Sequence, residues 1–258
     1  MGITTGIEWT DATWNPWRGC TKVSEGCRNC YMYREQRRYG RDPTVVMRGA
    51  PTTFNEPMSW ERRVDLRLPF PPDGRIRTSL RVFTCSWSDF FHEAADGWRA
   101  EAWSIIKRTP HLTYQILTKR PERISSHLPA DWGQGGYPNV WLGTSAENGH
   151  LAFTRGLPLS QVHARVHFLS AEPALGPYDD FFWAALNFYD WVILGGESGA
   201  GARPLNPEWA RQVRDGTKKA GKAFFFKLWG GPVGKKGDHE EAVLDGVTWK
   251  EMPEVAGE

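Results

Sequence analysis

From Arg81 onward, short apolar runs rich in β-branched and aromatic residues alternate with longer stretches of helical periodicity. The runs predict strands over residues 81–85, 112–117, 139–143, 165–169, 191–194 and 223–227. Helices are predicted over 94–108, 122–127, 151–162 and 207–220, the last closing at Gly221, a residue suited to the left-handed conformation that ends helices. Strand and helix in alternation is the pattern of repeated βα units, so the expected class is α/β with a parallel sheet.

The pattern is weaker on either side of this region. A helix is predicted from Tyr31 to Gly40. Residues 41–79 are rich in Pro, Arg and Gly, contain one helical stretch at 56–66, and are punctuated by Pro71 and Pro72; they read as an irregular insertion. The segment 230–258 begins Gly-Gly-Pro, continues through Lys235, Lys236 and Gly237, and reads as an irregular, partly mobile tail. With 258 residues, 40% of them hydrophobic, the chain is expected to form a single domain over 1–258.

Charge and composition narrow the function. Lys and Arg number 32 against 30 Asp and Glu, a net charge of +2, so nucleic acid can be attracted only by a local patch. Met1 to Trp9 lacks the basic stretch and apolar run of a secretory signal, and no segment approaches the roughly 18 apolar residues of a membrane span. Even the most apolar stretch, 181–194, is interrupted by Asn187 and Asp190, and the expected location is the cytoplasm. Fourteen Trp serve the core first, although Trp9, Trp14, Trp17 and Trp87 could wall off a dry reaction site.

Parallel α/β sheets collect ligands at the carboxyl ends of their strands. Polar residues recur at those ends: Ser86, Ser88 and Asp89; Thr118, Lys119 and Arg120; Ser145, Glu147 and Asn148; Ser170 and Glu172; Glu197 and Ser198. Solvated loops explain any one of them, whereas recurrence over five strands points to a shared pocket. Ser86, Ser88, Lys119, Ser145, Glu147, Ser170, Glu172 and Glu197 are the candidates to orient a cofactor there.

Three of the four cysteines fall within eleven positions, Cys20, Cys27 and Cys30, in a C-x6-C-x2-C pattern flanked by Gly19 and Gly26. This is no secreted disulfide framework. Three thiolates so close in sequence can converge on one metal or cluster, around which glycines let the backbone wrap. Three ligands around a 4Fe-4S cluster leave one iron open, and that position can bind the amino and carboxylate groups of S-adenosylmethionine. A structural zinc would instead want a fourth ligand, for which Cys85 and His92 are candidates. Both readings stand at this point.

The chain resembles the three-Cys-motif proteins of phages and bacteria, a family of unknown function similar to radical SAM enzymes. The resemblance is carried by the cysteine segment and by the blocks IEWTDATWNPW from Ile7 to Trp17, SDFFH from Ser88, LTKRP from Leu117, VWLG from Val140, SAEP from Ser170 and GGESG from Gly195. It implies a partial (β/α)6 barrel of the radical SAM type with an irregular insertion. It also implies a 4Fe-4S cluster on Cys20, Cys27 and Cys30, and reductive cleavage of S-adenosylmethionine to a 5′-deoxyadenosyl radical. Two features depart from the wider radical SAM pattern. Six residues rather than three separate the first two cysteines, and Gly195-Gly196-Glu197 follows a later strand than the usual Gly-Gly-Glu.

Basic and aromatic residues interleave in Tyr31, Tyr33, Arg34, Arg37, Arg38, Tyr39, Arg41 and Arg48, a composition suited to phosphate contact and base stacking and equally to an exposed helix face. A second basic region comprises Lys218, Lys219, Lys222, Lys227, Lys235 and Lys236. No His-x-x-x-His or His-x-Glu spacing supports a zinc hydrolase, and Ser198 lies one position late for a hydrolase elbow. The expected function is radical chemistry on an unknown substrate, with nucleic acid or a nucleotide as the leading class and an electron donor required. The alternative is a non-enzymatic module, held by zinc or a closed cluster, that binds nucleic acid or a partner protein.

Overall fold

The computed structural model describes residues 5–70, 74–232 and 242–255. Pro71, Pro72, Lys235, Lys236 and Gly237 lie outside the described residues. In chain order the elements are β1 (Ala12–Trp14), β2 (Trp17–Arg18), α1 (Tyr31–Arg38), β3 (Met47–Arg48), α2 (Pro51–Phe54), α3 (Glu56–Asp65), β4 (Leu80–Thr84), α4 (Asp96–Lys107), β5 (Leu112–Thr118), β6 (Val140–Ser145), α5 (Gly149–Ser160), β7 (Val166–Ala171), α6 (Asp180–Ala185), β8 (Trp191–Gly195), α7 (Pro207–Lys219), β9 (Ala223–Leu228), β10 (Val243–Leu244) and β11 (Val247–Thr248).

The fold is α/β. Its main sheet has seven strands in the order β1-β4-β5-β6-β7-β8-β9. The β1/β4, β4/β5, β7/β8 and β8/β9 pairs are parallel. Burial explains the unbroken apolar runs: all six residues of β6 and all five of β8 are buried, as expected when a parallel sheet is covered on both faces. The six predicted strands are all present, with ends within two residues of those expected. The seventh, β1, is only three residues long and precedes the repeating region. Its pairing of Ala12 with Val82 and Trp14 with Thr84 is a long-range choice that local periodicity does not announce.

The chain divides into two compact units interleaved in sequence. One comprises Met1–Thr21, Met32–Leu142 and Val162–Arg165; the other comprises Lys22–Tyr31, Gly143–Gln161 and Val166–Glu258. In the first, residues 41–79 do more than interrupt the sheet. Phe54, Trp60, Val64 and Phe70 are buried there, and Trp14 Nε1 donates to the carbonyls of Thr53 and Phe54, both at 3.2 Å. Trp9, Trp14 and Trp17 are core residues, each at most 2% exposed, so of the four tryptophans expected to wall a site only Trp87 keeps a partly exposed ring. Residues 121–127 form two short 3-10 turns rather than one helix.

In the second unit, helix starts follow side-chain caps. Asn148 Oδ1 accepts from Leu151 N, and Asn206 Oδ1 from Glu208 N, with Pro207 in the first helical position. Gly221, at φ 68°, ends α7 as its sequence predicts. The tail is more ordered than expected over its described part. β10 and β11 pair antiparallel about Asp245-Gly246, whose φ values of 53° and 79° fit the primed turn that Asp-Gly favours. Trp191 Nε1 then donates to Glu251 O at 2.9 Å, and Lys218 to the Glu251 carboxylate, fastening the tail to β8 and α7.

Gly143 marks the tightest packing on β6. A methyl group there would stand 2.5 Å from the Phe168 ring, itself fully buried. Gly143→Ala is expected to destabilise the protein by about 1–3 kcal/mol. A lower urea midpoint with an unchanged slope checks this.

Candidate functional site

Cys20 belongs to the first unit and follows β2. Its loop is held through the backbone: Gly19 N donates to Trp87 O at 3.0 Å, Cys20 N to Pro43 O at 2.9 Å, Ser88 Oγ to Gly19 O at 2.5 Å and Tyr33 OH to Cys20 O at 2.5 Å. Gly19 adopts φ 89°, and a Cβ on it would lie 2.2 Å from the Val45 carbonyl oxygen, so only glycine fits. Ser88, a candidate cofactor contact, thus holds the cysteine loop in place. Ser86 instead exchanges hydrogen bonds with Asn15.

Behind the loop lies a buried ion pair. The Asp89 carboxylate accepts from Phe91 N, Thr118 Oγ1, Lys119 N and Arg120 Nη1, at 2.9, 2.6, 2.9 and 3.2 Å. The Arg120 guanidinium also donates to Thr21 O and Thr21 Oγ1, at 3.2 and 2.6 Å, and its Nη1 stands 3.8 Å from Cys20 Sγ. Burial would discharge Arg120, but Asp89 and Cys20 more than offset this and raise its pKa. His92 Nδ1 accepts from Ala94 N, which leaves the proton on Nε2, 3.0 Å from Thr21 Oγ1. Burial, followed by the Arg120 charge, lowers the His92 pKa and keeps the ring neutral. Burial, then Asp89, pushes the Cys85 thiol well up, so Cys85 is a protonated thiol in this setting.

Cys27 and Cys30 belong to the second unit. Cys27 closes a 3-10 turn, Glu25–Cys27. Ser24 Oγ donates to Glu147 Oε1 at 2.8 Å, while Arg155 Nη1 donates to Glu147 Oε2 at 3.1 Å and to Ser145 O at 2.6 Å. Gly26 lies directly against this carboxylate, and a Cβ on it would stand 2.1 Å from Oε1. Glu197 holds the far side of the turn. It accepts from Asn29 Nδ2 at 2.9 Å, from Arg203 N at 3.0 Å, and from Arg203 Nε and Nη2 at 2.9 and 2.6 Å. Arg203 Nη2 also donates to Glu25 O at 3.0 Å. Burial opposes the Glu197 charge, yet these donors, Arg203 foremost, hold its pKa at about 2.

Other candidates in this unit sit apart from the turn. Glu172 accepts from Lys227 Nζ at 2.5 Å, both partly exposed, and the buried Ser170 carbonyl accepts from Ala146 N. The Gly195-Gly196-Glu197 block has a steric reason: a Cβ at Gly196 would lie 1.9 Å from Trp229 O. Among the described residues no group of three or more His, Cys, Asp or Glu side chains is arranged to hold a metal ion. A cleft of about 450 Å³ along α4 contains none of the candidates, and its Lys107 and Asp131 neutralise each other.

Sequence reasoning missed Asn29, Arg155 and Arg203, the partners that fix Glu147 and Glu197. Only the recurrence of carboxylates after strands signalled that such partners were needed. Since Glu197 has a folded pKa of about 2 against an ordinary 4.5, its stabilising contribution is complete above pH 4.5 and lost as pH falls towards 2. Glu197→Gln is expected to cost about 1–2 kcal/mol at pH 7 and to lose less stability than the parent between pH 4.5 and 2. Urea midpoints across that range test the sign.

No curated protein and no solved structure matches the chain. No helix among the described residues is long and apolar enough to cross a membrane. A family model described as "Protein of unknown function (DUF5131)" matches residues 4–253, nearly the whole sequence. The chain therefore belongs to the DUF5131 family.

Proposed function

We propose that this chain is a radical-SAM-like iron-sulfur protein in which Cys20, Cys27 and Cys30 ligate a 4Fe-4S cluster, leaving one iron open for S-adenosylmethionine. The observation that carries the reading is how the cysteine segment is held. In one unit Arg120, just beyond β5, fixes Thr21 and reaches Cys20 Sγ. In the other, Glu147 beyond β6 and Glu197 beyond β8 fix Ser24 and Asn29 on either side of Cys27. Strand-end residues spent on a short cysteine turn are best explained if that turn carries the chemistry.

The donor set suits such a cluster. No disulfide joins any of the four cysteines, and the cation beside Cys20 favours its sulfur as an anion. Gly19 and Gly26 bring the segment into contact with groups that any side chain would displace. A bound cluster would supply the electron for reductive cleavage of S-adenosylmethionine, drawn from an external donor. A closed structural site would need Cys85 or His92 as a fourth ligand; Cys85 is enclosed in the core, and both ring nitrogens of His92 are engaged, by Ala94 N and Thr21 Oγ1.

Anaerobically reconstituted protein is expected to hold about four irons and as many acid-labile sulfides per chain. Its reduced EPR spectrum should change when S-adenosylmethionine is added. Cys27→Ala should abolish the iron, and Cys85→Ala should leave it in place. Stoichiometric zinc without an iron signal, or equal loss in the two variants, would overturn the open-site reading.

A further inference from the structure

A cationic surface with exposed aromatic rings lies in the first unit, and among the described residues its side chains take no part in holding the cysteine segment, which meets it only through the Trp87 carbonyl. Arg18, at the end of β2, is half-buried; its Nε is shielded from water and meets no acceptor among the described residues. Its Nη2 stands 4.0 Å from Met47 Sδ, a weak acceptor. Arg41 is exposed and close enough for its charge to repel that of Arg18. A shielded donor beside a second cation is unfavourable by itself and is relieved by an anion.

Aromatic faces adjoin these charges. The Arg41 guanidinium lies 5.7 Å from the centroid of Tyr39, which is 58% exposed. Tyr39 in turn lies beside the partly exposed Trp87, with centroids 6.3 Å apart and planes at 36°. Arg37 and Arg38, both exposed, extend the face along the last turn of α1. Asp42 is an acid nearby whose charge acts with that of Arg37; its Oδ1 accepts from Thr44 N and Thr44 Oγ1 at 2.9 and 2.7 Å. The cations are all arginine, for no lysine occurs between Lys22 and Lys107. Arginine combines bidentate phosphate contact with stacking, which lysine does not.

A small anion would satisfy Arg18 and Arg41 but gives no role to the rings beside them. A phosphodiester strand accounts for both. Duplexes keep base faces stacked inside, so rings can meet bases only on an unpaired strand. We propose that Arg18, Arg37, Arg38 and Arg41, with Tyr39 and Trp87, form a docking surface for single-stranded nucleic acid. Guanidinium groups contact the phosphates and the rings stack on bases. None of the six is a proposed cluster ligand, so this surface stands or falls apart from the cluster.

The test is fluorescence anisotropy of the full chain, metal-free and reconstituted, with labelled oligo-dT and with the same strand annealed to oligo-dA, across a salt series. The single strand should bind more tightly than the duplex in both preparations. Arg37→Gln with Arg41→Gln should reduce the log–log salt slope by about 0.7 per lost contact. Tyr39→Ala should weaken binding about tenfold with the slope unchanged. All three positions are exposed, and circular dichroism confirms that the variants fold. Absence of binding, equal affinity for the duplex, an unchanged slope in the double variant, or displacement by inorganic phosphate alone would overturn the proposal.

Discussion

A carboxylate withdrawn from water must be surrounded by donors, and this requirement organises the cysteine segment. Asp89, Glu147 and Glu197 are each at most 5% exposed, and each is met by an arginine. Such pairs often add little net stability, because desolvation offsets much of their attraction. Their effect is geometric. A guanidinium shared among a carboxylate, a carbonyl and a hydroxyl permits one arrangement of the groups it joins. Arg120 does this for Thr21, and Arg203 does it for Glu25. The cysteine turn needs that restraint because its only regular structure is a three-residue 3-10 helix.

The glycines follow from the same crowding. Gly19, Gly26 and Gly196 each leave room for an oxygen that a Cβ would strike: Val45 O, Glu147 Oε1 and Trp229 O. Gly196 is instructive, since a Gly-Gly-Glu block invites a ligand-based explanation. Here the second glycine admits the chain after β9, and Gly231 N donates to Glu197 O at 2.8 Å. Backbone approach positions Glu197, and Glu197 then holds Asn29.

The strands were legible because a sheet covered on both faces writes itself as apolar runs, and α7 because its helical pattern closes at Gly221. β1 was not, since three residues carry no periodicity and its partner lies about seventy positions away. The hairpin at Asp245-Gly246 carried a readable turn signal that the surrounding Gly and Lys residues obscured. In the site, the cysteines and the strand-end carboxylates could be found by residue type and recurrence. Their partners could not, because Arg155 and Arg203 reach Glu147 and Glu197 through helix geometry and an irregular loop, neither of which leaves a spacing rule.

Environment also separates cysteines that composition treats alike. Cys20 and Cys85 share a unit, but different charges act on them: the Arg120 guanidinium stands 3.8 Å from Cys20 Sγ, whereas the Asp89 carboxylate acts on Cys85. Cys20 is partly exposed with the guanidinium against its sulfur, so a negative sulfur is favoured there. Cys85 is enclosed, and both burial and the Asp89 charge resist its ionisation, which leaves it a small apolar core residue. Arg120 thus favours a negative sulfur at Cys20, while burial and the Asp89 charge disfavour one at Cys85.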